Sequence, residues 1–261
     1  MRIVVKIAGA LLEEPETLDA VAAQIAELSR SGHQVFVVHG GGKTLSSTMA
    51  RMGIESRFVS GLRVTDAATR DIAVMVLGGL LNRRVVAALV RSGQSAVGVC
   101  GVDGACLLGE KMSSTGTDLG YVGYLLNVNV EFLETLWRAG IVPVAACLVM
   151  GTDGELYNVN ADHLAAAAAE YTNADMLIFL TDVAGVMDGE TVLDSVPRHG
   201  IESLIQSGKV SGGMVLKLEA AKRALDGGVK QVCIVGGSLP SSLFAAVGGV
   251  NGPGTRIEVS Q

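Results

Sequence analysis

The residues best suited to do chemistry in this sequence are a few charges in apolar settings and the glycines that follow apolar runs. Lys6 interrupts the run "IVVKIAG" two residues before a turn. Burying a lysine without an anion is costly, so a lysine inside a strand either serves an anion or marks an edge strand open to water. This stretch alone leaves both readings open. Lys217 sits similarly in an apolar helical face, "GGMVLKLEAAK", with Lys222 as the ordinary solvated lysine beside it. Gly40, Gly41 and Gly42 follow the run "VFVVH" and lead into a helical pattern. Gly9 and the pair Gly236–Gly237 follow other apolar runs. Glycine lets a backbone approach an anion closely, and a following helix offers free N–H groups and the positive end of its dipole. Tight βα turns also favour glycine, and for Gly236–Gly237 that plainer explanation is preferred. The triple glycine points instead to an anion site.

The glycines fit neither of two common nucleotide motifs. A P-loop needs G-x-x-x-x-G-K-[ST], but the first glycine would fall on Val37. A G-x-G-x-x-G dinucleotide fingerprint would need glycine where Leu45 stands. Lys43 and Thr44 therefore read as the start of a solvated helix. In "YNVNADHLAA", Asn160 suits a helix N-cap and Asp162 falls in the first turn, while capping leaves Asn158 unexplained. In "SGLRVTD", Arg63 follows a glycine turn where its planar fork could clamp a carboxylate. The four histidines (His33, His39, His163 and His199) form no paired arrangement with carboxylates that would mark a general base.

Short β-branched runs alternate with longer helical patterns, the signature of βαβ units on a largely parallel sheet. The expected strands include 2–8, 34–38, 95–100, 141–149, a buried "DMLIFLT", "KQVCIV" and a terminal "TRIEV". The expected helices include 15–30, 43–52, a long one over 67–90, 130–139, the Ala-rich "ADHLAAAAAEY" and "GGMVLKLEAAKRAL". Residues 101–129 read as strands and hairpins, and Asp153–Gly154 marks a hairpin turn. Residues 188–211 form a polar excursion with a short helix. At 261 residues, 49% of them apolar, the chain supports one large α/β domain or two joined lobes. The net charge of −6 argues against nucleic acid and anionic membranes as partners. The four cysteines lack metal-ligand spacing and read as small buried hydrophobes. The most hydrophobic stretch, "IAVMVLGGLL", is half the ~20 residues that span a bilayer. It is expected in a helix buried on most sides, in the core or at a subunit contact. No signal peptide is apparent, and a soluble, cytoplasmic protein is expected.

Taken in order, "VVKIAGALL", "VVHGGG", "SGLRVTD", "YNVNADHLAAAAA", "LTDVAGVMDG", "GGMVLKLEAAKRAL" and "GTRI" resemble the acetylglutamate kinases, a branch of the amino acid kinase family. The resemblance covers essentially the whole chain. It implies an α/β fold, an open αβα sandwich with a mainly parallel central sheet. An N-terminal lobe, residues 1–174, would bind the acceptor and dimerise, and a C-terminal lobe, residues 175–261, would bind ATP. The implied reaction phosphorylates the side-chain carboxylate of N-acetyl-L-glutamate in arginine biosynthesis. By resemblance, Lys6 meets the transferred phosphoryl group, Lys217 steadies the leaving side, and Asp162 holds both lysines. Gly41 and Gly42 offer backbone to acceptor and phosphoryl group, and Arg63 and Asn158 hold the acetylglutamate. Gly9, Asp182, Val183, Ala184, Gly185, Val186, Met187, Lys209, Val210 and Ser211 are implied to line the nucleotide. Mg2+ is expected with ATP, bound mainly through its phosphates and water.

Two departures from the family pattern matter. Its first motif is usually K-x-G-G, and here Ala8 replaces the first glycine, which would carry a penalty if that position required positive φ. Arginine-inhibited members carry an extra N-terminal helix before the first strand; here the strand begins at once, so an arginine-insensitive homodimer is expected, using the 67–90 helix. Competing readings are a relative acting on N-succinylglutamate or acetylaminoadipate, and a non-catalytic sensor on the same fold. The sensor would be expected to lose Lys6, Lys217 or Asp162.

Overall fold

The computed structural model describes residues 1–113, 116–239, 241–249 and 254–258. In chain order the strands are β1 (Arg2–Ile7), β2 (Gln34–His39), β3 (Phe58–Val59), β4 (Leu62–Arg63), β5 (Ala96–Val99), β6 (Leu107–Lys111), β7 (Gly123–Val128) and β8 (Val142–Ala146). They continue as β9 (Leu148–Gly151), β10 (Leu156–Asn158), β11 (Met176–Thr181), β12 (Met187–Asp188), β13 (Thr191–Val192), β14 (Ser195–Pro197), β15 (Gln231–Gly236) and β16 (Thr255–Glu258). The α-helices are α1 (Pro15–Arg30), α2 (Gly42–Arg51), α3 (Ala67–Ala73), α4 (Asn82–Arg91), α5 (Val130–Arg138), α6 (Ala161–Tyr171), α7 (Ile201–Gln206), α8 (Gly213–Asp226) and α9 (Ser242–Val247). Val259, the last residue of the expected terminal strand, lies outside the described residues.

One eight-stranded sheet, in the order β14-β16-β15-β11-β1-β2-β8-β5, runs through the molecule. It is parallel except where β16 runs against β15. Side chains alternate across it: Ile3, Val5 and Ile7 enter the core beneath α1 and α4, while Val4 joins the core on the other face with the alanines of α6. A smaller sheet, β10-β9-β6-β7, packs against α6. With apolar residues packed on both faces, the central strands read as near-continuous hydrophobic runs.

β1 lies between β11 and β2, so Lys6 is not on an edge strand. The expected single strand over 141–149 is two: β8 belongs to the large sheet and β9 to the small one, and the chain changes sheets at Cys147. An unbroken apolar run cannot signal such a change, because its residues stay buried on both sides of it. The long helix spans Ala67–Arg91, with a π-helical stretch, Val74–Leu81, between α3 and α4. By length and composition it could cross a membrane, but half of its apolar window is buried in the protein. Within 72–81, Met75 and Leu80 remain 55% and 45% exposed while the other residues are buried or half-buried, as expected for a stretch buried on most sides. Ala8 has φ −66° and ψ 145°, ordinary extended backbone, so the first motif carries no strain from alanine.

Candidate active site

The C-terminal ends of β1 and β2, the start of α2 and the start of α6 meet at one cleft. Ligands in open parallel sheets sit beyond the carboxyl ends of strands, where strand, loop and helix N-termini converge. Lys6, on β1, is 4% exposed and places its Nζ 2.7 Å from Asp162 Oδ1. Asp162 sits in the first turn of α6, where the capping Asn160 side chain accepts hydrogen bonds from the N–H groups of Asp162 and His163. Lys217 comes from α8, which packs along α6, and brings its Nζ to 3.4 Å from Asp162 Oδ2. One carboxylate therefore faces two ammonium groups.

Burial pushes the Asp162 carboxyl up, but Lys6 and then Lys217 outweigh it and hold it below the ordinary value. Burial and the nearby Lys6 draw Lys217 down. The cluster carries one uncompensated positive charge in a chain whose net charge is −6. Such a buried excess is costly until an anion joins it.

The glycine loop lies beside this cluster. Gly41 has φ +151°, and a Cβ there would lie 2.2 Å from Leu81 Cδ1. Gly9 approaches it so closely that a Cβ on Gly9 would lie 2.9 Å from both the N and the Cα of Gly41. At both of these positions beside the cluster the absence of a side chain is required. Gly42 opens α2, whose first N–H groups have no partner within the helix, so the loop and helix start present donors to the cleft. Lys43 and Thr44 face away from that role: Lys43 Nζ pairs with Glu13 at 2.9 Å and Thr44 Oγ1 donates to the same carboxylate.

Arg63 lines the cleft, but its fork is engaged with the protein. Its Nη1 donates to Ser56 Oγ at 2.7 Å and Met49 Sδ at 3.4 Å, and its Nη2 to Gly42 O and Ser46 Oγ at 2.9 and 2.8 Å. The guanidinium lies 4.7 Å from the Phe58 ring centroid, and burial draws its pKa down. Asn158 also lines the cleft, with Nδ2 donating to Thr65 Oγ1 at 3.3 Å. The sequence reading missed the apolar wall of Leu45, Phe58, Leu62, Leu77 and Val122. It had no signal for it: these residues come from separate elements and share no motif.

The expected nucleotide residues lie farther along the same sheet end. Asp182 to Val186 follow β11, and Met187 begins the β12–β13 hairpin. The end of β15 runs close beside them, for a Cβ on Gly236 would lie 3.3 Å from Val183 O, while Asp182, Val183 and Ala184 stay exposed. Val186 N–H donates to Thr255 Oγ1 at 2.8 Å, fixing the path of this loop. Lys209 reaches back to Asp188 at 2.7 Å, and Val210 and Ser211 lead into Gly212 and the start of α8. Gly9 lines the same cleft as Lys6, and Lys217 reaches Asp162 at its border.

Among the described residues no three His, Cys, Asp or Glu side chains gather as a metal site. Both oxygens of Asp162 face lysines.

A model of the amino acid kinase family matches residues 1–236. The acetylglutamate kinase of Koribacter versatilis is 51% identical over 236 residues, 90% of each chain. That of Methanopyrus kandleri is 46% identical over 239 residues, 88% of this chain and 93% of the other. The N-acetylglutamate synthase of Neisseria gonorrhoeae, solved with coenzyme A and L-arginine, superposes with a TM-score of 0.89 at 27% identity. The match covers 99% of this chain and 61% of that one, so this chain spans about three fifths of the synthase's length.

Proposed function

This chain belongs to the amino acid kinase family, and we infer from that premise that its cleft phosphorylates the side-chain carboxylate of N-acetyl-L-glutamate with ATP. The products are N-acetyl-L-glutamyl 5-phosphate and ADP, an activation that belongs to arginine biosynthesis. The observation that carries the reading is the Lys6–Asp162–Lys217 cluster beside the donor-rich glycine loop. All three residues that a sensor on this fold would be expected to lose are present.

The acceptor is a carboxylate of ordinary pKa near ~4.3, already ionised at neutral pH, so no general base is required. A carboxylate oxygen attacks the γ-phosphorus, and the bond from phosphorus to the bridging oxygen breaks towards ADP. No proton moves. The chain's task is to bring two anions together and neutralise the charge that spreads over the transferring group. Lys6 and the N–H groups of Gly41 and Gly42 stabilise that group. Lys217, on the side towards the nucleotide, offsets charge on the leaving oxygen. Asp162 keeps both ammonium groups aimed without neutralising them fully.

Arg63 holds the α-carboxylate side of the acceptor by exchanging part of its internal bonding for the ligand, and Asn158 holds the acetylamino group. Gly9, Asp182, Val183, Ala184, Gly185, Val186, Met187, Lys209, Val210 and Ser211 line the nucleotide, which Mg2+ accompanies. Residues 1–174 act as the acceptor lobe and 175–261 as the nucleotide lobe of one shared sheet. The exposed Met75 and Leu80 on the long helix support a homodimer joined through that helix. ATP-dependent hydroxamate formation across a panel of carboxylates tests the assignment, with N-acetyl-L-glutamate expected to be the preferred acceptor.

A further inference from the structure

His39 precedes the glycine loop and is fully buried, yet no step above uses it. Its Nδ1 lies 2.9 Å from the carbonyl oxygen of Gly40. A carbonyl can only accept, so Nδ1 carries the proton. Its Nε2 lies 3.2 Å from Nδ2 of Asn82, and that same Nδ2 donates to Val144 O at 2.9 Å. The second bond fixes which way the Asn82 amide points, and it leaves Nε2 as an acceptor. Both ring nitrogens thus demand the same neutral tautomer. Burial pushes the His39 pKa down to about 4, which keeps the ring uncharged at working pH.

The other carbonyls of the loop are held in the same manner. His39 O accepts from the Cys147 thiol at 2.8 Å, Gly41 O from Leu45 N–H at 2.9 Å, and Gly42 O from Arg63 Nη2 at 2.9 Å. Every carbonyl from 39 to 42 is therefore occupied by an internal donor. Asn82 meets this demand at a cost, because its Oδ1 is buried without a hydrogen-bond partner among the described residues. An apolar residue would avoid that penalty of about 1–3 kcal/mol, so the position is explained by the donor it supplies. The π-helical stretch that ends at Leu81 delivers Leu81 to Gly41 and the next residue, Asn82, to His39. π-helical turns often mark functional sites.

We propose that Asn82 and His39 are positioning residues that lock the Gly40 carbonyl back into the protein, which completes the set of internally held carbonyls so that the loop offers N–H donors to the transferring phosphoryl group. A Gly40 carbonyl free to rotate would turn a partial negative charge towards two anions. The inference rests on the phosphotransfer assignment for its kinetic arm and on geometry alone for its spectroscopic arm.

The test combines 15N NMR of histidine-labelled protein with kinetics of three variants. The wild type is expected to show His39 protonated at Nδ1 and bare at Nε2; an Nε2–H tautomer would overturn the proposal whatever the substrate. His39→Leu is expected to lower kcat about 10- to 100-fold, the scale seen when outer-shell partners of metal ligands are removed, with KM for both substrates within about threefold. His39→Asn, which keeps a donor near the Nδ1 position, is expected to recover most of the activity. A folded His39→Leu variant with wild-type kcat, or a folded His39→Asn no better than it, would refute the lock. Should His39→Leu fail to fold, Asn82→Ala serves: a mixed tautomer with reduced kcat supports the proposal, and an unchanged tautomer with unchanged kcat overturns it. Wild-type turnover with N-acetylglutamate in the same assay separates failure of the lock from failure of the assigned reaction.

Discussion

Asp162 is the residue on which the chemistry and the stability of the site both turn. It is buried between two lysines, and Lys6 has no other ion-pair partner among the described residues. Replacing it with asparagine would leave a buried ammonium uncompensated, a change that typically costs about 3–5 kcal/mol. The sign of the pH dependence follows from its carboxyl being held below the ordinary value of 3.8. The unfolded chain binds that proton more readily, so the stabilisation is complete above the unfolded value and fades as pH falls through the folded one. In denaturation, wild type and Asp162→Asn should therefore keep their full difference from neutral pH down to about pH 4 and converge only as pH falls further. A difference that stayed constant into acid would mean that Asp162 is not paired as described. Lys6 stood out in the sequence as a lysine inside an apolar run, which left a buried anion partner and an edge strand both open. The edge-strand alternative could be dismissed only once β1 was seen between β2 and β11.

At the scale of elements, two loops and one helix set the site. Gly9 and Gly41 bring the ends of β1 and β2 into backbone contact, and the long helix closes on that contact through Leu77 and Leu81. Gly9→Ala should lower kcat strongly, because its Cβ would meet the Gly41 backbone at 2.9 Å rather than a yielding side chain. Ala8→Gly, which restores the usual family residue, should leave kcat within about threefold and cost roughly 0.5–1 kcal/mol of stability, since Ala8 already has an unstrained φ. Parallel kinetics and thermal melts of the two variants check both outcomes. An active Gly9→Ala, or an Ala8→Gly with much raised kcat, would shift the close approach from Gly9 to Ala8. The strand and helix order was readable from periodicity, and Asn160 was readable as a cap. The switch of sheets at Cys147 and the π-helical register of 74–81 were not, because both arise from packing partners far away in sequence. For the same reason His39 read only as one of four histidines without a carboxylate partner, although its place directly before three glycines was the available signal.

The eight-stranded sheet carries the cleft and the proposed nucleotide region at the same end of its parallel strands. A small positive excess at their junction sits in a chain of net charge −6. That distribution suits two small anions at one point rather than an extended polyanion. The half-exposed apolar residues Met75 and Leu80 belong to this scale too. Light scattering should give twice the 26.9 kDa chain mass, and Met75→Asp with Leu80→Asp should return it to one chain; a wild-type monomer would remove the proposed dimer. The central claim is that charge neutralisation by the lysine cluster, with no general base, drives phosphoryl transfer to N-acetylglutamate. Its most direct test is ATP-dependent hydroxamate formation by wild type and by folded Lys6→Ala across acetylglutamate, succinylglutamate, glutamate, aspartate and acetylaminoadipate. The expected result is preferred turnover of acetylglutamate by the wild type and a loss of about 10²–10³ in kcat for Lys6→Ala. Absence of turnover with every acceptor, or an undiminished Lys6→Ala, would contradict it.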